Sequence, residues 1–170
     1  MLMLLIIGKI VSILVYTEFA DTTTAAPNNE FRNTMDAIKD TYGEQFRYDN
    51  LTSYSELTTS LPDYDILLLP EQETLNEENL TSIASAWTGP LASFVSNGGI
   101  VVALDAYGGA MSVPTFQILN ETGLVSVYDP VYGAGWVNYR VNSSDALARG
   151  IEGSWPAPGG SVHFDTTDAT

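Results

Sequence analysis

Ser96-Asn97-Gly98-Gly99-Ile100-Val101-Val102-Ala103-Leu104-Asp105-Ala106-Tyr107-Gly108-Gly109 reads, in order, as a helix end, a glycine turn, a buried strand and a Gly-rich loop. A short apolar run entered from a helix through Gly-Gly is the repeating unit of a parallel α/β sheet. In open sheets of this kind, ligands and chemistry gather just beyond the carboxyl ends of the strands. Here that position holds Asp105, followed by Tyr107 and Gly108.

The same alternation extends in both directions. Lys9–Tyr16 reads as the first buried strand, and Met1–Gly8 as an extra strand or a leader remnant. A helix is expected from about Asn29 to Tyr42, with Phe31, Met35, Ile38 and Tyr42 on one face and Gly43 as its stop. Gln45–Asp49 follows as a second strand. Ser53-x-x-Glu56 has the spacing of a capping box for a short helix with Leu57 and Leu61 inward. Tyr64–Pro70 holds the continuous apolar run Ile66–Leu69, as in a central parallel strand. Asn76–Ser96 is a long helix that Gly89-Pro90 is expected to kink or split, with Val95 among its inward residues. Ile100–Leu104 is the next central strand. Pro114 opens a short helix within Val113–Thr122. Strands are expected at Leu124–Tyr128 and Trp136–Val141, joined by the loop Asp129–Gly135, with a helical turn at Ser144–Arg149 and an edge strand at Ser161–Phe164. The fold class is therefore α/β: a three-layer sandwich around a mostly parallel sheet of flavodoxin-like order 2-1-3-4-5, with a β-rich carboxyl-terminal edge. Residues 9–170 are read as one domain excerpted from a longer chain.

Composition narrows the function. The 170 residues carry 21 acidic and 6 basic side chains, a net charge of −15, and 45% are hydrophobic. So acidic a surface repels nucleic acid and anionic membranes. No cysteine is present, which removes disulfides, thiolate metal sites and cysteine nucleophiles. The amino-terminal apolar run is short for a membrane span and contains Lys9. Four N-x-S/T sequons, at Asn50, Asn79, Asn120 and Asn142, and a Lys-poor, Thr-rich make-up lean toward an extracellular or cell-surface protein, with the cytoplasm as the alternative.

Three segments carry a family resemblance. Asp65-Ile66-Leu67-Leu68-Leu69-Pro70, then Phe94-Val95-Ser96-Asn97-Gly98-Gly99 leading into Ile100–Leu104, and Ser144-Asp145-Ala146-Leu147-Ala148-Arg149-Gly150-Ile151 resemble the class I glutamine amidotransferase-like superfamily. Similar patterns occur in its trehalose-utilisation-type members and in the domain of gliding-motility and intraflagellar-transport proteins, which is usually non-catalytic. The resemblance implies a binding or structural module, or an accessory subunit of a transport or motility system. It also implies a cysteine nucleophile at the elbow, where Asp105 stands, and a Pro-Gly-Gly loop, where Pro70-Glu71-Gln72-Glu73 stands. A glutamate there puts negative charge where an oxyanion needs stabilising. The lone histidine, His163, has no cysteine to activate.

Glu18, Glu71, Glu73 and Asp105 all follow strands at the carboxyl edge and, with Tyr107 and Gly108, form the candidate crevice. Three readings of these acids stand: solvated loop residues, a divalent-cation site centred on Glu71 and Asp105, or an acid–base pair split by mutual repulsion, as in a carboxylate-based hydrolase. No organic cofactor is expected. Gly108-Gly109 lacks the context of a nucleotide loop, and its glycines suit a tight turn. Tyr107, Tyr128, Tyr132, Trp136 and Tyr139 suit packing of the later β layer, or stacking on a protein or carbohydrate partner. His163 with Asp165 is either a hydrogen-bonded surface residue or a metal-ligand pair.

Overall fold

A computed structural model describes residues 10–25, 29–105, 111–132, 137–140, 154–157 and 162–166. They fall into two compact units, one ending at Val125 and one beginning at Ser126.

The first unit is built on four parallel strands: β1 (Val11–Tyr16), β2 (Phe46–Leu51), β3 (Ile66–Leu69) and β4 (Ile100–Ala103). Their order is β2-β1-β3-β4, with Leu14 opposite Asp49 and Leu67, and Leu67 opposite Val101. This is the 2-1-3-4 part of the expected order, so the α/β, flavodoxin-like class holds. The central strands are apolar on both faces because helices cover both. On one face α1 (Glu30–Tyr42) lays Met35, Phe31 and Ile38 over Ile13, Val15 and Leu68. On the other, α3 (Glu77–Ser96) and α4 (Pro114–Glu121) cover Leu14, Tyr16, Leu67 and Leu69 with Leu80, Ile83, Trp87, Leu91 and Ile118. Each such side chain, fully buried, contributes about 1.5–3 kcal/mol. Among the described residues no helix is long and apolar enough to cross a membrane.

Local chemistry sets the helix ends. Asn29 caps α1, its Oδ1 accepting the Arg32 N–H at 2.7 Å, while its Nδ2 donates to the Asp21 carbonyl. Gly43 closes the helix at φ 58°, in the positive region that L side chains resist. Asn76 caps α3 through the Asn79 N–H at 2.9 Å.

Several expectations are corrected. The helix α3 runs unbroken through Gly89-Pro90, because its buried face continues on both sides of the proline, from Leu80 to Phe94. Val95 is exposed, lying off that face, and Tyr42 is exposed at the end of α1. The capping box does not form: the Ser53 hydroxyl pairs with that of Ser55, and the first amide of the turn goes elsewhere. The segment becomes a 3-10 turn at Tyr54–Glu56, the short helix α2 (Leu57–Ser60) and a second 3-10 turn at Leu61–Asp63, with Leu57 and Leu61 buried as expected. The strand β4 is an edge of the described sheet, not a central strand, and Ile100 is 56% exposed.

In the second unit the described residues after Ser126 are all strand. The strand β5 (Val127–Tyr132) pairs antiparallel with β8 (Val162–Thr166), and β6 (Val137–Arg140) with β7 (Ser154–Ala157). Asp129–Tyr132, expected as loop, continues β5, whose partner is β8. The strand β7 contains Pro156, which removes a ladder donor and is tolerated in a two-stranded ribbon. Residues 1–8 and the expected turn at Ser144–Arg149 lie outside the described residues.

Candidate functional site

The carboxyl edge of the sheet gathers the loops after β1, β3 and β4. Glu18 follows β1. The Tyr16 ring is fully buried and meets Trp87 edge-on, with centroids 4.7 Å apart. The Tyr16 hydroxyl donates to Glu18 Oε2 at 3.0 Å, and the same oxygen accepts the Tyr54 N–H at 2.6 Å. Burial, then the adjacent Glu18 charge, holds the Tyr16 phenol well above its ordinary range, so it remains a neutral donor. Trp87 Nε1 donates to the Tyr54 carbonyl at 2.8 Å, which fixes the same turn from below. Glu18 therefore ties the 3-10 turn to β1.

The loop Pro70-Glu71-Gln72-Glu73 is held from inside by Gln72, which is fully buried. Its Nε2 donates to the Tyr16 and Pro70 carbonyls at 3.1 and 2.7 Å, and its Oε1 accepts the Phe19 N–H at 3.3 Å. The buried Thr115 hydroxyl also donates to the Pro70 carbonyl, at 3.2 Å. Glu73 Oε2 accepts the Asp21 N–H at 2.7 Å. Asp21 in turn accepts from Thr23 and Thr24, and these bonds hold its carboxyl well below the usual carboxylate range.

Glu71 has a different setting. Its N–H donates to Oε1 of Glu30, in the first turn of α1, at 3.3 Å, and the two carboxyl groups hydrogen-bond each other. Burial pushes the Glu71 carboxyl up to about 7, helped by the charges of Glu30, Glu73 and Asp105 and by the Glu30 hydrogen bond. Burial also raises Glu30, while the two hydrogen bonds from Glu71 oppose that rise. Glu71 therefore holds its proton until about neutrality, beside Glu30.

Asp105 caps a helix. Val113, at the N-cap position of α4, supplies no side-chain bond and sits at φ 48°, ψ 54°, a strained conformation for a β-branched residue. Asp105 Oδ2 instead accepts the Phe116 N–H at 2.9 Å, the bond a local cap would make.

The candidate residues thus divide. Glu71, Glu73 and Asp105 share one electrostatic neighbourhood, whereas Glu18 belongs to the Tyr16–Tyr54 network. Tyr107 and Gly108 lie outside the described residues, as do the side chains of Tyr128, Tyr132, Trp136, Tyr139 and His163. Among the described residues no three His, Asp or Glu side chains are grouped to hold a metal ion. Sequence reasoning missed Glu30 and Gln72. Glu30 had a signal, an acid in the first turn of a helix that follows a loop at the carboxyl edge. Gln72 had none beyond its place between two glutamates.

No family model and no curated protein matches this sequence. Among solved structures the chain is similar to the crystal structure of a ThuA-like protein from Bacteroides uniformis, with a TM-score of 0.54 and 17% identity. The match covers 92% of this chain and 61% of that one, so this chain spans about three fifths of its length. At that identity the likeness is one of fold, and it agrees with the parallel α/β architecture of the first unit.

Proposed function

We propose that this chain is a non-catalytic, amidotransferase-like binding or structural module of a larger acidic protein at the cell surface. One observation carries the reading: four carboxylates at this edge are spent on backbone amides. Glu18 holds Tyr54, Glu73 holds Asp21, Asp105 holds Phe116, and Glu30 accepts the Glu71 N–H. That last amide lies in the loop that supplies oxyanion donors in the family's enzymes, and here it faces a carboxylate. An oxyanion hole needs free donors aimed at developing negative charge. The acidic composition and the four sequons support the surface location. In this reading the module engages a protein or carbohydrate partner, not nucleic acid.

A second reading is favoured by the Glu71–Glu30 pair, in which a neutral acid lies against a carboxylate, the arrangement of a carboxylate-based hydrolase. A screen of nitrophenyl esters, anilides and glycosides, with and without Mg²⁺ and Ca²⁺, separates the two. The module reading expects no turnover. Turnover that disappears in Glu71→Gln while the variant stays folded overturns it.

A further inference from the structure

A separate cleft lies at the opposite, amino-terminal edge of the sheet, between the turn before β3 and the end of α3. Its volume is about 540 Å³, within the range of small-molecule sites. The Gly98-Gly99 turn shapes it. Gly98 adopts φ 91°, and its N–H closes on the Val95 carbonyl at 2.9 Å. A Cβ on Gly99 would fall 2.5 Å from the Phe94 ring, so glycine alone lets that ring lie against the turn. Buried Phe94 and Leu61 supply apolar surface, and Tyr64, Pro62 and Pro90 add flat faces.

Charge then selects the ligand. Among the described residues the lining has no lysine, arginine or histidine. Its one acid, Asp65, binds the Ser12 N–H at 3.0 Å and the Ser12 hydroxyl at 2.8 Å through Oδ2. That charge and the carbonyl end of α3 both repel an anion. The same groups draw a cation, and Arg47, which does not line the cleft but whose guanidinium lies 5.7 Å from the centre of the Tyr64 ring, offsets that attraction. The other polar side chains of the lining are uncharged: the Thr58 and Ser93 hydroxyls and the Asn97 carboxamide. Flat apolar faces beside neutral hydrogen-bonding groups match an uncharged ring that carries hydroxyl groups.

We propose that this cleft binds an uncharged, hydroxyl-bearing ring compound. Two sources share that chemistry, a neutral sugar and an aromatic alcohol, and an amide-resolved NMR titration distinguishes them. Methyl glucoside and benzyl alcohol are the neutral probes, and phenyl phosphate is the charged control. The expected result is a saturable shift of the Thr58, Ser93, Asn97, Gly98 and Gly99 amides with at least one neutral probe, and the responding probe identifies the source. Ser93→Phe, a change at an exposed position that fills the cleft, weakens binding about tenfold or more with the fold intact. Asn97→Ala, which leaves the cleft open, weakens it less and serves if the first variant does not fold. The proposal is overturned if neither neutral probe saturates, if phenyl phosphate binds as well as benzyl alcohol, or if Ser93→Phe folds and binds unchanged.

Discussion

Replacing Glu71 by glutamine changes how stability depends on pH. The ordinary value of this carboxyl, 4.5, applies to the unfolded chain, and in the fold it is pushed up to about 7. The native state therefore keeps a proton that the unfolded chain releases. Stability from this group is full below about pH 4.5, falls between about 4.5 and 7, and is flat above that. At 1.36 kcal/mol per pH unit, this interval corresponds to about 3.4 kcal/mol. Glu71 is only half-buried, so solvent screening reduces the expected loss to about 1–2 kcal/mol. The introduced glutamine keeps a donor for Glu30 and carries no charge at any pH. Urea unfolding followed by tryptophan fluorescence from pH 4 to 8 is the assay. The variant is expected to be flatter across the window and about 1–2 kcal/mol more stable than the parent at pH 8. A smaller slope remains from Glu30, which burial also raises. Parallel profiles for the two proteins refute the raised Glu71 carboxyl, and Glu77→Gln, an exposed change in the first turn of α3, is the control for net charge.

Other outcomes follow from single contacts. Trp87→Phe keeps most of the packing but removes one of the two hydrogen bonds to the Tyr54 carbonyl, the Leu57 N–H remaining, so a loss of about 0.5–1.5 kcal/mol is expected in urea unfolding. Gln72→Leu removes three buried hydrogen bonds and is expected to cost more, about 3–5 kcal/mol, seen as a large drop in Tm. Gly99→Ala drives a methyl group into the Phe94 ring and is expected to cost about 1–3 kcal/mol, with the Phe94 ring resonances shifted in NMR spectra.

The parts of the fold that were legible are those where one residue type has one physical use. The run Ile66–Leu69 suits only a strand buried on both sides, and Asn29 and Asn76 stand where caps are needed. The glycines at 43 and 98 occupy positive φ. What was not legible depends on partners distant in sequence. Nothing near Ser53 shows that the Tyr54 amide is claimed by Glu18, 36 residues away. Asp105 follows its strand as a nucleophile would, and only the position of α4 reveals it as a cap. Glu30 and Glu71 lie 41 residues apart, so their contact is invisible in the chain. Pro90 misled because local propensity favours a break, and burial of α3 on both sides of it outweighs that preference.

The central claim is that the acids of the carboxyl edge serve as anchors for loops. Amide hydrogen exchange tests it most directly, in Glu18→Ala, Glu73→Ala and Asp105→Ala, which remove the acceptor oxygens. Each substitution is expected to speed exchange at one amide above all others: Tyr54, Asp21 and Phe116 respectively. A loss of about 1.5–3 kcal/mol per charged bond makes the acceleration roughly tenfold or more. Unchanged exchange at all three amides in the folded variants contradicts the claim.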